Sequence, residues 1–139
     1  MAETKKVQEA IKDIAGEAEA VILALQERDH GRLNLTTNQI RKFLAAVNAL
    51  TNKIAVYRAQ SGADAALSDA LAAEVKYLKV KLAYQSAKDT NGNVKAFSES
   101  AQLKVRIDRI GTDMKKYEDF AHFMEALVAY HKFYDGKER

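Results

Sequence analysis

Leu35-Thr36-Thr37-Asn38-Gln39-Ile40-Arg41-Lys42-Phe43-Leu44 opens the most legible helix of this 139-residue chain. Thr36 followed by Gln39 has the form of a capping box. The threonine hydroxyl accepts from the backbone amide three residues on, and the glutamine side chain reaches back to the cap's own amide. Leu35, just ahead of the cap, is placed to staple the first turn. Ile40, Phe43, Leu44, Val47, Leu50 and Ile54 then recur at helical spacing as one apolar stripe. Rotating about 100° per residue puts Lys42, Ala46, Ala49 and Lys53 on one flank. Arg41, Ala45, Asn48 and Asn52 fall on the other. Small residues between the charges leave room for a bulky ligand to approach.

The same period runs outward in both directions. Upstream, Val7, Ile11, Ile14, Ala18, Val21, Ile22 and Leu25 predict one helix over 4–28, weakened at Gly16 by about 1 kcal/mol relative to alanine and open to fraying or a bend there. Downstream, Leu67, Leu71, Val75, Leu78 and Leu82 predict a helix near 64–89. On it Tyr77, Lys81, Tyr84 and Lys88 share one flank, with Lys76, Lys79 and Ala83 on the other side. Thr90-Asn91-Gly92-Asn93 reads as a turn between helices. Asn-Gly also suits a β-hairpin, but the periodicity on both sides is helical. Over 94–110 the apolar face changes: Val94, Phe97 and Ala101 point one way, and Leu103, Ile107 and Ile110 another. Two short helices or one bent helix both fit. Tyr117, Phe120, Met124, Leu127 and Val128, with Phe123, Tyr130 and Tyr134 beside them, predict a last helix over 113–134. The expected fold is all-α, a bundle of five or six helices in a single domain over 1–139.

Composition agrees. The chain has no proline, where average usage would give about seven, so long helices are uninterrupted. Gly31, Gly62, Gly92, Gly111 and Gly136 fall between periodic stretches. Three glycines about thirty residues apart suggest a repeat, yet the segments they bound do not resemble one another. At 47% hydrophobic and 29% charged residues the chain reads as globular. No apolar run is long enough to span a bilayer, and Met1-Ala2-Glu3 leads into no apolar signal core, so neither membrane insertion nor export is expected. The absence of cysteine fits a reducing, cytoplasmic setting and removes disulfides and thiolate chemistry.

Chemistry is sparse. His30, His122 and His131 are the three histidines. None stands at the spacing of a helical metal site, and no phosphate-binding glycine loop is present. His131 falls on or near the apolar stripe of the last helix, where a buried imidazole needs a hydrogen-bond partner and a structural role. Carboxylate neighbours such as Glu118-Asp119 read as solvated. No catalytic residue, metal ligand or cofactor is expected.

Charge is the informative feature. The net charge is +3, but residues 1–30 carry −3 and residues 31–88 carry +6. Between Asp29 and Asp64 no acidic side chain occurs, while Arg32, Arg41, Lys42, Lys53 and Arg58 all do. A basic helical face neutralises phosphates and releases counterions, which gives sequence-independent affinity for nucleic acid. Lys53, Arg58 and Lys81 are candidates on helical position. Tyr77 and Tyr84 beside Lys81 could stack on bases or sugars, although a tyrosine beside a core stripe is more often half-buried packing. A solvated lysine face is the bland alternative.

Three ordered motifs resemble a known family. The 35–44 stretch is similar to its opening motif. Tyr77-Leu78-Lys79-Val80-Lys81, with Tyr84-Gln85 and Lys88, is similar to its central motif. Met124-Glu125-Ala126-Leu127-Val128-Ala129-Tyr130-His131-Lys132-Phe133-Tyr134 is similar to its C-terminal signature, followed here by Asp135-Gly136 where the family usually has two glycines. The family is the small subunit of the type III-A CRISPR effector, the Csm complex. The resemblance covers 32–137 as a family-like core and leaves 1–30 outside it. It implies a non-catalytic helical bundle that lines the path of guide RNA and target RNA. It also implies self-association of several copies beside the backbone and large subunits. On the motifs it makes Arg41 and Lys42, then Lys79 and Lys88, the candidate phosphate contacts. The periodic C-terminal motif reads as structural, closing the bundle. The alternative is a structural adaptor whose basic face binds acidic partner proteins. A DNA-binding module lacks the expected helix-turn-helix spacing.

Overall fold

The computed structural model describes residues 13–135 and places six helices among them. They are α1 (Ile14–Arg28), α2 (Thr37–Ser61), α3 (Asp69–Lys88), α4 (Asn93–Ala101), α5 (Leu103–Ile110) and α6 (Met114–Asp135). Val7 and Ile11 of the expected first helix, and Gly136, lie outside the described residues. The all-helical bundle expected from the sequence is the fold observed.

The capping box forms. Gln39 N donates to Thr36 Oγ1 at 3.1 Å, and Thr36 N donates to Gln39 Oε1 at 2.9 Å. From that start α2 runs for 25 residues, about 37 Å at 1.5 Å per residue. Its stripe of Ile40, Phe43, Val47, Leu50 and Ile54 is buried. Gly62, at φ +103°, ends it.

Three boundaries are set by local caps and backbone conformation. Of the helix expected over 4–28, the described part is α1, which begins at Ile14 behind Asp13, whose carboxylate accepts from Gly16 N at 2.9 Å and caps it; positions 4–12 lie outside the described residues. Gly16 is therefore a first-turn residue: a Cβ there would lie 2.4 Å from Asp13 Oδ2. The helix expected from 64 begins at Asp69, because Ser68 caps it through Leu71 N at 3.2 Å. Leu67 is buried as expected, but ahead of the helix, where its amide donates to the Thr112 carbonyl at 2.9 Å. Over 94–110 the two-helix alternative holds. Gln102 adopts φ +53°, ψ +44° and separates α4 from α5.

The last helix, α6, is the central element, packing on α1, α2 and α5. Tyr117, Phe120, Phe123, Met124 and Leu127 are buried along it. Each such side chain contributes about 1.5–3 kcal/mol of burial free energy. His131 is buried with them, and its Nε2 stands 2.6 Å from the Leu35 carbonyl oxygen, the structural role expected of it. The tie holds the end of α6 against the residue that precedes the α2 cap. Arg106 anchors the other side. Its Nε donates to the Ala101 carbonyl at 2.8 Å, and its guanidinium lies 3.8 Å from the Phe123 ring centre and 3.7 Å from Glu17. Burial lowers its pKa, and Glu17 opposes that shift.

Candidate nucleic-acid interface

Helices α2 and α3 lie antiparallel, and polar ties mark their register. Gln85 Nε2 donates to the Gln39 carbonyl at 2.6 Å near one end, and Lys53 Nζ reaches Glu74 at 2.7 Å further along. Between the first turns of α2 and the last turns of α3 runs an open groove of about 740 Å³. Phe43, Ala46 and Val80 give it apolar walls, and Lys42, Lys81 and Lys88 stand along it. Alanine at 46 keeps the α2 side low, so the lysines rise on both sides of an accessible channel. Asp89 also lines the groove, but its carboxylate is turned to the turn that follows. There Oδ2 accepts from Val94 N at 2.7 Å and Oδ1 from Asn91 N at 3.3 Å, which caps the start of α4.

The seven candidate phosphate contacts fall into three surroundings. Lys42, Lys81 and Lys88 share the groove, and among the described residues none of them pairs with a carboxylate. Lys88 instead sits 5.4 Å from the centre of the Tyr84 ring, a cation–π contact. Arg41 is exposed on α2 outside the residues that line the groove, also without a carboxylate partner among the described residues. Lys53, Arg58 and Lys79 are engaged across helices: Lys53 with Glu74, Arg58 with Glu118, and Lys79 with Asp108. Arg58 lies in a different groove, between α2 and α6, whose other residues include Thr51, Tyr117, His122 and Glu125. Exposed pairs of this kind stabilise by at most about 1 kcal/mol. They nonetheless place a carboxylate where a phosphate would have to go.

The tyrosines depart from the expectation of half-buried packing. Tyr77 is 56% exposed and Tyr84 68% exposed, and both line the groove with the lysines. Val80, between them, is also exposed. The periodicity puts these residues beside the core stripe, but among the described residues no neighbouring helix covers them. Tyr117 shows the contrast. It is buried, its hydroxyl donates to the Val47 carbonyl at 3.0 Å and meets Thr51 Oγ1 at 2.8 Å, and burial raises its pKa above the usual tyrosine value.

Among the described residues no group of three or more His, Asp or Glu side chains is arranged to hold a metal ion, and no helix is long and apolar enough to cross a membrane.

Most of the chain bears the same relation to known proteins that its motifs suggest. A family described as Csm2 Type III-A matches residues 8–137. The chain belongs to the Csm2 family. The CRISPR system Cms protein Csm2 of Streptococcus thermophilus is 35% identical over 121 residues, 87% of this chain and 90% of the relative. The protein of the same name from Mycobacterium tuberculosis is 34% identical over 119 residues, 86% of this chain and 90% of the relative. That of Enterococcus italicus is 32% identical over 126 residues, 89% of this chain and 79% of the relative. Membership makes the chain a small subunit of a CRISPR Csm complex. The family match begins at residue 8, so it takes in α1, which the three motifs do not reach.

Proposed function

We propose that this Csm2-family chain is a non-catalytic, RNA-binding subunit, and that the α2–α3 groove lies along the guide RNA–target RNA path. One observation carries the reading: Lys42, Lys81 and Lys88 converge on one open groove without carboxylate partners among the described residues. Three ammonium groups held along an accessible channel supply phosphate neutralisation without sequence readout. Arg41 extends the positive surface beside it. Lys53, Arg58 and Lys79 contribute less, because phosphate must displace a carboxylate at each. The work of the subunit is to hold the RNA and to stack in copies beside the backbone and large subunits, in the cytoplasm. Chemistry then falls to other members of the complex.

The test is the salt dependence of RNA binding by the purified full chain. Three phosphate contacts at the single-strand slope of about −0.7 each give roughly a twentyfold loss of affinity between 50 and 200 mM salt. Seven equal contacts would give about a thousandfold. A loss near twentyfold supports the three-lysine groove. Affinity that ignores salt, or no RNA binding at low salt, overturns it.

A further inference from the structure

The lysines account for only part of the groove. Tyr77, Val80 and Tyr84 present an exposed apolar strip between them, and phosphate neutralisation needs none of these three. A paired RNA helix offers sugar and phosphate to a surface, and its bases are already stacked on each other. Against such a ligand the two rings would meet sugar edges but no open base face. An unpaired strand has open base faces, and every base has one.

Resting on the reading of the groove as an RNA site, we infer that it takes an unpaired stretch of RNA, with Tyr77 and Tyr84 as the surfaces on which bases stack. The two rings are seven residues apart on α3, about 10.5 Å along the helix axis. Neighbouring stacked bases are about 3.4 Å apart, so the rings receive bases that are not adjacent. The intervening backbone then passes Lys81, which lies between the rings on the same flank, with Lys42 on the opposite wall. Lys88 already sits near the Tyr84 ring, 5.4 Å from its centre. A phosphate beside a base stacked on Tyr84 is thereby brought within reach of the Lys88 ammonium. Ring and charge alternate along one helical flank as Tyr77, Lys81, Tyr84, Lys88, the arrangement that a single strand can follow.

The experiment compares, for the full chain, one labelled RNA as a single strand and the same RNA annealed to its complement. Tyr77→Ala with Tyr84→Ala removes both rings at exposed helical positions, where alanine favours the helix; circular dichroism verifies that the variant is folded. Stacking lost at about fivefold or more per ring lowers single-strand affinity by about twenty-fivefold or more. Duplex affinity and the salt slope stay within about twofold of the unaltered chain. Tyr77→Phe with Tyr84→Phe keeps the rings and restores single-strand binding. Lys42→Glu with Lys81→Glu weakens both ligands, which separates failure of this inference from failure of the RNA site itself. An alanine pair that binds single strands normally overturns the stacking role. So does one that loses both ligands equally, or one that binds RNA normally but no longer joins the other Csm subunits.

Discussion

His131 Nε2 lies 2.6 Å from the carbonyl oxygen of Leu35, so the last helix is pinned to the residue that precedes the α2 cap. A carbonyl only accepts, so Nε2 carries the proton and donates. Both groups are buried, and removing the donor leaves the carbonyl without this partner as well as opening a cavity. His131→Ala is expected to cost about 2–4 kcal/mol in urea unfolding at unchanged slope. His131→Gln, which keeps an N–H, recovers part of it. A loss below about 1 kcal/mol would show that the tie is not structural.

The break between α4 and α5 rests on Gln102, a non-glycine residue in the left-handed region. That conformation costs about 1–2 kcal/mol, while glycine adds unfolded-state entropy of about 0.4–1 kcal/mol. Gln102→Gly is expected to leave stability unchanged or raise it by up to about 1.6 kcal/mol. Gln102→Val, stiffened by β-branching, lowers it by at least about 1 kcal/mol. Thermal unfolding of the pair checks the sign of each.

High pH acts on Tyr117. Burial raises its folded pKa above the unfolded value of about 10, with the Thr51 hydrogen bond opposing. The unfolded chain therefore loses this proton first. The stability Tyr117 contributes is complete below about pH 10 and falls as pH rises from there towards its folded pKa, by at most about 1.4 kcal/mol per pH unit. Tyr117→Phe removes this component, so its stability falls less steeply than that of the unaltered chain between about pH 10 and 11. Parallel slopes in urea titrations at those pH values would contradict the assignment.

Much of this was legible because it is local. The α2 start follows from Thr36 and Gln39, and the helix stripes follow from period alone. Gly62 and Gly92 mark breaks that need positive φ. What was not legible depends on residues distant in sequence. Lys53, Lys79 and Arg58 look like Lys42 on a helical wheel, yet their carboxylates come from 21, 29 and 60 residues away. Leu67 has helical spacing, but its amide is claimed by Thr112. The Gln102 break carries no glycine or proline signal. The exposure of Tyr77 and Tyr84 is set by which helix fails to cover them, and no local pattern records that. The Asp13 cap, by contrast, is a local feature, a capping carboxylate three positions before the Gly16 amide that it accepts from.

The most direct measurement compares matched charge reversals in RNA affinity at a fixed low salt concentration. Lys42→Glu with Lys81→Glu alters two groove lysines without carboxylate partners among the described residues, and Lys53→Glu with Lys79→Glu alters two that face Glu74 and Asp108. Net charge changes equally in both. The groove account predicts that the first pair loses at least about tenfold more affinity than the second, with both variants folded. Equal losses, or a larger loss from Lys53 and Lys79, would contradict the account that the α2–α3 groove is where the RNA lies.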